Sequence, residues 1–298
     1  MPKAKLIPHL IYLIVFLTGA IVMTLEITGA RIIAPFVGGS LIAWTSLIGV
    51  ILAFLSIGYV LGGRLSDAKP SYKFLSILYF LISISILIIP IAGDTVLSAI
   101  TINSSSIKIN SLVSCIALFA IPSLLLGIAA PYLIRLKLTD PKKSGETIGI
   151  LYALSTLGSI FGTFFAGFFL FSSIGSSQVL FLLSGLSLLI SMSFAISVKN
   201  KTLIFLTMIF LGVIIFISYA LQSSRQNNLT YETNYSKVNL VKADYLGRET
   251  IVMMSGNLAM SGMYLESDEL LYDYTKYFRL VSHFEESPRK VLMIGGGG

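Results

Sequence analysis

Up to about residue 221 the chain is a series of long apolar runs separated by short polar breaks; beyond it the texture changes. A helix needs about 20 mainly apolar residues to cross a bilayer, because every backbone N–H and C=O must be satisfied within the segment. Seven stretches meet this length, approximately 9–31, 42–63, 74–93, 110–134, 147–172, 178–198 and 202–221. The uncharged run from Thr147 to Val198 is too long for one crossing, and Ile174-Gly175-Ser176-Ser177-Gln178 supplies its break. After Leu221, the polar stretch Gln222 to Asn228 reads as a linker. Ser236 to Asp244 alternates, Tyr245-Leu246-Gly247 offers a turn, and Arg248 to Met254 reads as a second strand, so the two form a hairpin. Ser255 to Tyr264 is a candidate third strand. From Ser267, a candidate N-cap, Leu270, Leu271, Tyr274, Tyr277, Phe278 and Val281 keep helical spacing. Lys290 to Ile294 is then a short apolar strand running into Gly295-Gly296-Gly297-Gly298.

Composition sharpens the division. Of 298 residues, 55% are hydrophobic and 12% charged, and 17 of the 35 charged residues fall in positions 225–298. An ordinary soluble enzyme is excluded, since such domains carry about 25% charged residues. The net charge of +7 resides in the apolar part, so it gives no argument for a nucleic-acid partner. Assigned to alternate sides of the membrane, eleven Lys and Arg residues fall on the face of Lys3 and Lys5, against two, Arg31 and Lys108, on the other. The N-terminus is expected in the cytoplasm, in a multi-pass protein of the plasma membrane. Seven crossings then place the tail on the opposite face.

Few residues of the apolar part carry chemistry. Glu26 is the costly one, because an acidic group at mid-bilayer depth is penalised by about 2.5–3.5 kcal/mol. It reads either as a proton or cation site or, as the favoured expectation, as a structural pair with Arg31 or Arg64. Gly58 and Gly62, and Gly158, Gly162 and Ala166, recur at four-residue spacing, which lets helices approach closely. Pro122 and Pro131 are expected to kink the fourth helix, and Trp44 suits an interfacial anchor. The single cysteine, Cys115, reads as a small core residue. His9 and His283 have no metal-ligand spacing around them, and no metal is expected.

A buried-type strand ending in consecutive glycines is how many nucleotide-binding α/β folds begin, since absent Cβ atoms let backbone N–H groups approach a ligand. Here it closes a longer order: a hairpin, Ser267-Asp268-Glu269-Leu270-Leu271-Tyr272, a helix, then Lys290-Val291-Leu292-Met293-Ile294-Gly295-Gly296-Gly297. That order resembles the start of the spermidine synthase (polyamine aminopropyltransferase) family. Leu25 to Arg31, Gly62-Gly63-Arg64-Leu65-Ser66-Asp67, Gly127 to Tyr132 and Gly149 to Ser159 resemble the membrane half of fused transporter-like/spermidine synthase proteins. The stretch from Gly62 to Asp67 is also similar to the loop after the second helix of major facilitator transporters, where the charges, here Arg64 and Asp67, would lock a gate; the alternative is a tight turn carrying positive-inside charges.

The resemblance implies a helical module at 1–221, a linker at 222–234, and at 235–298 the β-hairpin and first strand of a Rossmann-like domain. It implies decarboxylated S-adenosylmethionine as cofactor at Gly295, Gly296 and Gly297, and a polyamine or other small molecule near Tyr235, Asp268 and Tyr272. The chain departs from the family's usual residues at Ser236, Ser255, Ala259, Asp273 and Tyr274. The family's acidic catalytic residues follow the glycine loop, so no catalytic residue is assigned, and the 298-residue chain is expected to be a fragment inactive in aminopropyl transfer. The alternative is a stand-alone transporter-like or scaffold membrane module with a vestigial nucleoside-binding tail.

Overall fold

The structure is a computed structural model that describes residues 7–68, 70–103, 106–138, 144–227, 230–232, 237–255, 258–267, 269, 271–273, 277–280 and 283. The chain divides into two compact units, Met1–Ala220 and Leu221–Gly298. Among the described residues, seven helices are long and apolar enough to cross a membrane. They are α1 (Ile7–Val37), α2 (Leu41–Ala68), α3 (Tyr72–Asn103), α4 (Ile107–Lys137), α5 (Ser144–Ser173), α6 (Ser176–Ser197) and α7 (Lys201–Asn227). Most overrun the lengths expected from hydropathy, because a helix continues into flanking polar residues until its backbone is capped or broken. α7 does so most clearly: it runs through the polar residues 222–227, and Thr230–Glu232 then forms a short strand, where a linker was expected.

Close packing of three helix pairs builds the first unit. α2 meets α4 through glycine: a Cβ on Gly62 would stand 2.5 Å from the Ile128 carbonyl oxygen, and one on Gly127 would stand 2.5 Å from that of Leu55. α1 meets α5 in the same manner, Gly158 lying against the Phe16 carbonyl, Gly162 against Ala20, and Gly19 against Ser155. No side chain larger than hydrogen fits these positions, so the backbones themselves are in contact. α3 and α6 are instead joined by serine. Ser83 Oγ donates to the Ser184 carbonyl and Ser184 Oγ to that of Ser83, both at 2.8 Å; Ser76 and Ser191 exchange the same bonds at 2.9 and 2.6 Å. Contacts ascend together in α1/α5 and α2/α4 and run oppositely in α3/α6. Alternate crossing of successive helices requires this polarity.

Pro122 and Pro131 lie inside α4, and the Pro131 ring faces Gly62. Within α5 the helix widens to a π-turn at Ala166–Leu170, beside Phe171. Tyr132, buried in α4, accepts a hydrogen bond from the Ser71 backbone N–H at 2.8 Å and so holds the start of α3 to the end of α4. Cys115 is fully buried in the core. α7 is peripheral, with only 11% of its span buried; Phe210 meets Phe80 of α3 edge-on at 5.2 Å.

The second unit contains an antiparallel sheet in sequence order, β1 (Thr230–Glu232), β2 (Lys237–Tyr245), β3 (Arg248–Ser255) and β4 (Leu258–Tyr264). The hairpin between β2 and β3 turns on Leu246 and Gly247, at φ 56° and 76°, the geometry of a two-residue turn that follows strand twist. Asp244 Oδ1 accepts from the Gly247 N–H at 2.7 Å, which steadies a conformation leucine rarely adopts. A bulge between Met253 and Met254 interrupts the β3–β4 register. Leu271 folds back over Gly262, where a Cβ would stand 2.5 Å from its Cδ2. Of the helix expected from Ser267, the described residues give a 3-10 turn, Tyr277–Leu280. The expected strand 290–294 lies outside the described residues.

Candidate functional site

A cavity of about 370 Å³ opens between α1, α2, α4 and α5. Its apolar wall comes from Val15, Pro131, Leu133, Ile134 and Leu151, and its polar groups are hydroxyls: Thr18, Tyr59, Tyr152, Ser155, Thr156 and Ser159. Four of these sit on α5 at positions 152, 155, 156 and 159, one face of a helix. That stripe was present in the sequence within Gly149 to Ser159. It escaped notice because single hydroxyls are common in membrane helices and none is charged.

The proton inventory shows which hydroxyls are committed. Thr18 Oγ1 donates to the Ile14 carbonyl at 2.7 Å, so the 2.5 Å bond between Thr18 and Tyr79 has the buried Tyr79 as donor. Thr156 Oγ1 donates to the Tyr152 carbonyl at 3.0 Å and Ser159 Oγ to that of Gly19 at 3.3 Å. The hydroxyls of Tyr59, Tyr152 and Ser155 make no hydrogen bond among the described residues. Three groups able to donate and accept thus border an apolar hollow, the arrangement that orients a small polar ligand. No side chain in this lining supplies a charge.

The charged residues singled out from sequence are not gathered at one place. Glu26 is half-buried on α1 and, among the described residues, forms no ion pair or hydrogen bond, so the expected pairing with Arg31 or Arg64 is not formed. Arg31 stacks over the Phe171 ring at 4.4 Å, beside the π-turn. Arg64 is exposed on α2. Asp67 pairs with Arg135 of α4, Oδ1 to Nε 3.3 Å, which ties together the two ends of the glycine-packed pair. The distance in sequence between Asp67 and Arg135 hid this partner.

Gly295, Gly296, Gly297, Tyr235 and Asp268 lie outside the described residues; Tyr272 is half-buried in the second unit. What the sheet does bring together is a brace centred on Arg248. Its guanidinium covers the Tyr264 ring at 4.0 Å, donates to Ser267 Oγ at 2.8 Å and pairs with Glu269 Oε2 at 2.8 Å. The hydrogen bond that Arg248 donates to Glu269 holds the guanidinium above its ordinary pKa, so the charge persists at every physiological pH. Arg248 is a residue that strand alternation does not reveal, because its partners follow β4 in sequence. Among the described residues no three His, Cys, Asp or Glu side chains come together as a metal site would require.

No protein family, curated protein or solved structure matches the chain.

Proposed function

We propose that the chain is a multi-pass membrane protein of the fused transporter-like/spermidine synthase type. A membrane-spanning helical module precedes the opening sheet of a nucleoside-binding domain that takes decarboxylated S-adenosylmethionine. The observation that carries this reading is the order of elements. Seven span-length helices among the described residues are followed by a short strand, a tight hairpin and a further antiparallel strand, with Ser267 and Glu269 bonded to Arg248, ahead of the glycine run in sequence. In that reading Gly295, Gly296 and Gly297 approach the nucleoside, and Tyr235, Asp268 and Tyr272 border the amine substrate.

Equilibrium dialysis of the full chain in detergent against 5′-methylthioadenosine, the nucleoside left when an aminopropyl group departs, tests it. Saturable binding that is lost in Gly296→Leu supports the assignment; no binding by the unaltered chain overturns it.

A second reading is favoured by the cavity between α1, α2, α4 and α5: the helical module itself holds a small polar solute, as a transporter-like unit. The same assay separates the two, since failure to bind the nucleoside leaves the membrane module as the functional part.

A further inference from the structure

The glycine and serine contacts of the first unit repeat. Gly158 meets the Phe16 carbonyl and Gly58 that of Leu124; Gly162 meets Ala20 and Gly62 meets Ile128; Gly19 meets Ser155 and Gly127 meets Leu55. Every α1 residue in this set matches an α4 residue 108 positions later, and every α2 residue an α5 residue 100 positions later. The serine pairs obey the same rule: Ser76 to Ser184 and Ser83 to Ser191 are both shifts of 108, so the α3/α6 contact maps onto itself. A contact in which residue i meets j and j meets i is the mark of a two-fold axis. Because each set of three helices reverses direction in the membrane, α1–α3 and α4–α6 are inverted repeats about an axis in the bilayer plane.

An inverted repeat makes every feature at one end of the bundle specify a counterpart at the other. The cavity lies toward the end where α1 and α5 begin and α4 finishes. Carried across the axis, its lining residues Tyr152 and Thr156 become Leu52 and Ser56, and the hydrogen bond between them is repeated: Ser56 Oγ donates to the Leu52 carbonyl at 2.7 Å as Thr156 does to Tyr152. Tyr59 and Ser159 exchange places, so this pair borders both ends. Ala130, Pro131 and Ile134 become Val22, Met23 and Glu26, and all six are half-buried. Val15 becomes Ser123, which is 1% exposed and whose Oγ has no hydrogen-bond partner.

We propose that the counterpart of this cavity, placed by the two-fold axis at the other end of the bundle, is a second binding site in which Glu26 and Ser123 hold a small organic amine as its ammonium form. Glu26 replaces an isoleucine of the near cavity with a carboxylate that, among the described residues, no side chain neutralises. An ionised carboxylate at this depth requires a cation, and a protonated amine supplies both the charge and N–H donors for Ser123 and the Tyr59/Ser159 pair. The near cavity, lined by hydroxyls and no charge, takes the neutral polar part of a ligand. This proposal does not depend on the nucleoside reading of the tail.

The test uses the full chain in lipid nanodiscs with dansylcadaverine, a fluorescent primary amine, and dansylamide as its neutral counterpart. Glu26→Gln is expected to weaken dansylcadaverine binding about tenfold or more, the value of a charge-assisted hydrogen bond, and to leave dansylamide unchanged, while Glu26→Asp retains the amine. Equal amine binding by Glu26→Gln and the unaltered chain overturns the site. Independently, in sealed vesicles of a Cys115→Ala background, Thr156→Cys is expected to react with an impermeant thiosulfonate from the face bearing the N-terminus, and Ser56→Cys from the opposite face. Reaction of both from one face overturns the paired arrangement.

Discussion

Glycine at positions 58, 62, 127, 19, 158 and 162 is a matter of space and not of backbone freedom. At Gly62 an added Cβ would stand 2.5 Å from a backbone oxygen, and backbone cannot give way as the end of a flexible side chain can. Its neighbour Gly63 has nothing within 4 Å of an added Cβ. The pair is therefore an internal control. Gly62→Val is expected to lower the stability of the detergent-solubilised chain by roughly 1–3 kcal/mol, read as an earlier thermal loss of the monodisperse peak. Gly63→Ala should leave the midpoint unchanged or raise it slightly, since a residue less free in the unfolded chain costs less to order. The spacing of Gly58 and Gly62 already announced close approach in the sequence. Its counterpart surface did not show there, because Gly127 has a serine, Ser123, and a proline, Pro131, at the same spacing instead of a second glycine, and is recognisable only once α4 is seen against α2. Glu26 marks the opposite limit: its cost was evident from its depth, yet the expected arginine partner failed, since Arg31 on the same helix is drawn to the Phe171 ring.

At the scale of elements, the bundle is held by helix pairs far apart in sequence, and this sets what could be read beforehand. Hydropathy located seven helices because each must bury its own backbone, a local requirement. Which helices meet is decided by surfaces, and the serines that join α3 to α6 gave no warning: Ser83 and Ser184 are 101 residues apart and serine is unremarkable in either helix alone. Their exchange of hydrogen bonds makes a coupling measurable. A double-mutant cycle of Ser83→Ala and Ser184→Ala is expected to give a coupling energy of about 0.5–1.5 kcal/mol, in the range found between membrane helices. A cycle that closes to zero would mean that each serine merely satisfies its own helix. The hairpin was legible for the converse reason: alternation and a Leu246-Gly247 corner are neighbours in sequence, and the β2–β3 register follows from them. The Arg248 brace was not, because a guanidinium that stacks on Tyr264 and pairs with Glu269 depends on how the chain returns after β4.

For the whole molecule, the odd number of span-length helices decides where the sheet resides, and that number turns on α7. The inverted repeat accounts for α1 to α6 as a closed set of paired contacts, and six crossings return the chain to the face on which it began. α7 stands outside the set, peripheral and with 11% of its span buried. Its 21 apolar residues, Lys201–Leu221, suffice to cross a bilayer. On the orientation expected from the eleven-to-two bias of Lys and Arg, a cytoplasmic N-terminus, Lys199 would lie in the cytoplasm and the sheet beyond it on the far side. Compartment-sensitive reporters fused after Lys199 and after Gly298 should accordingly give opposite signals. Neutralising Lys3 and Lys5 should leave both signals in place, because nine basic residues still oppose two. Matching cytoplasmic signals from the two fusions would instead make α7 a helix lying on the membrane surface. The sheet would then face the cytosol, the compartment where decarboxylated S-adenosylmethionine is expected.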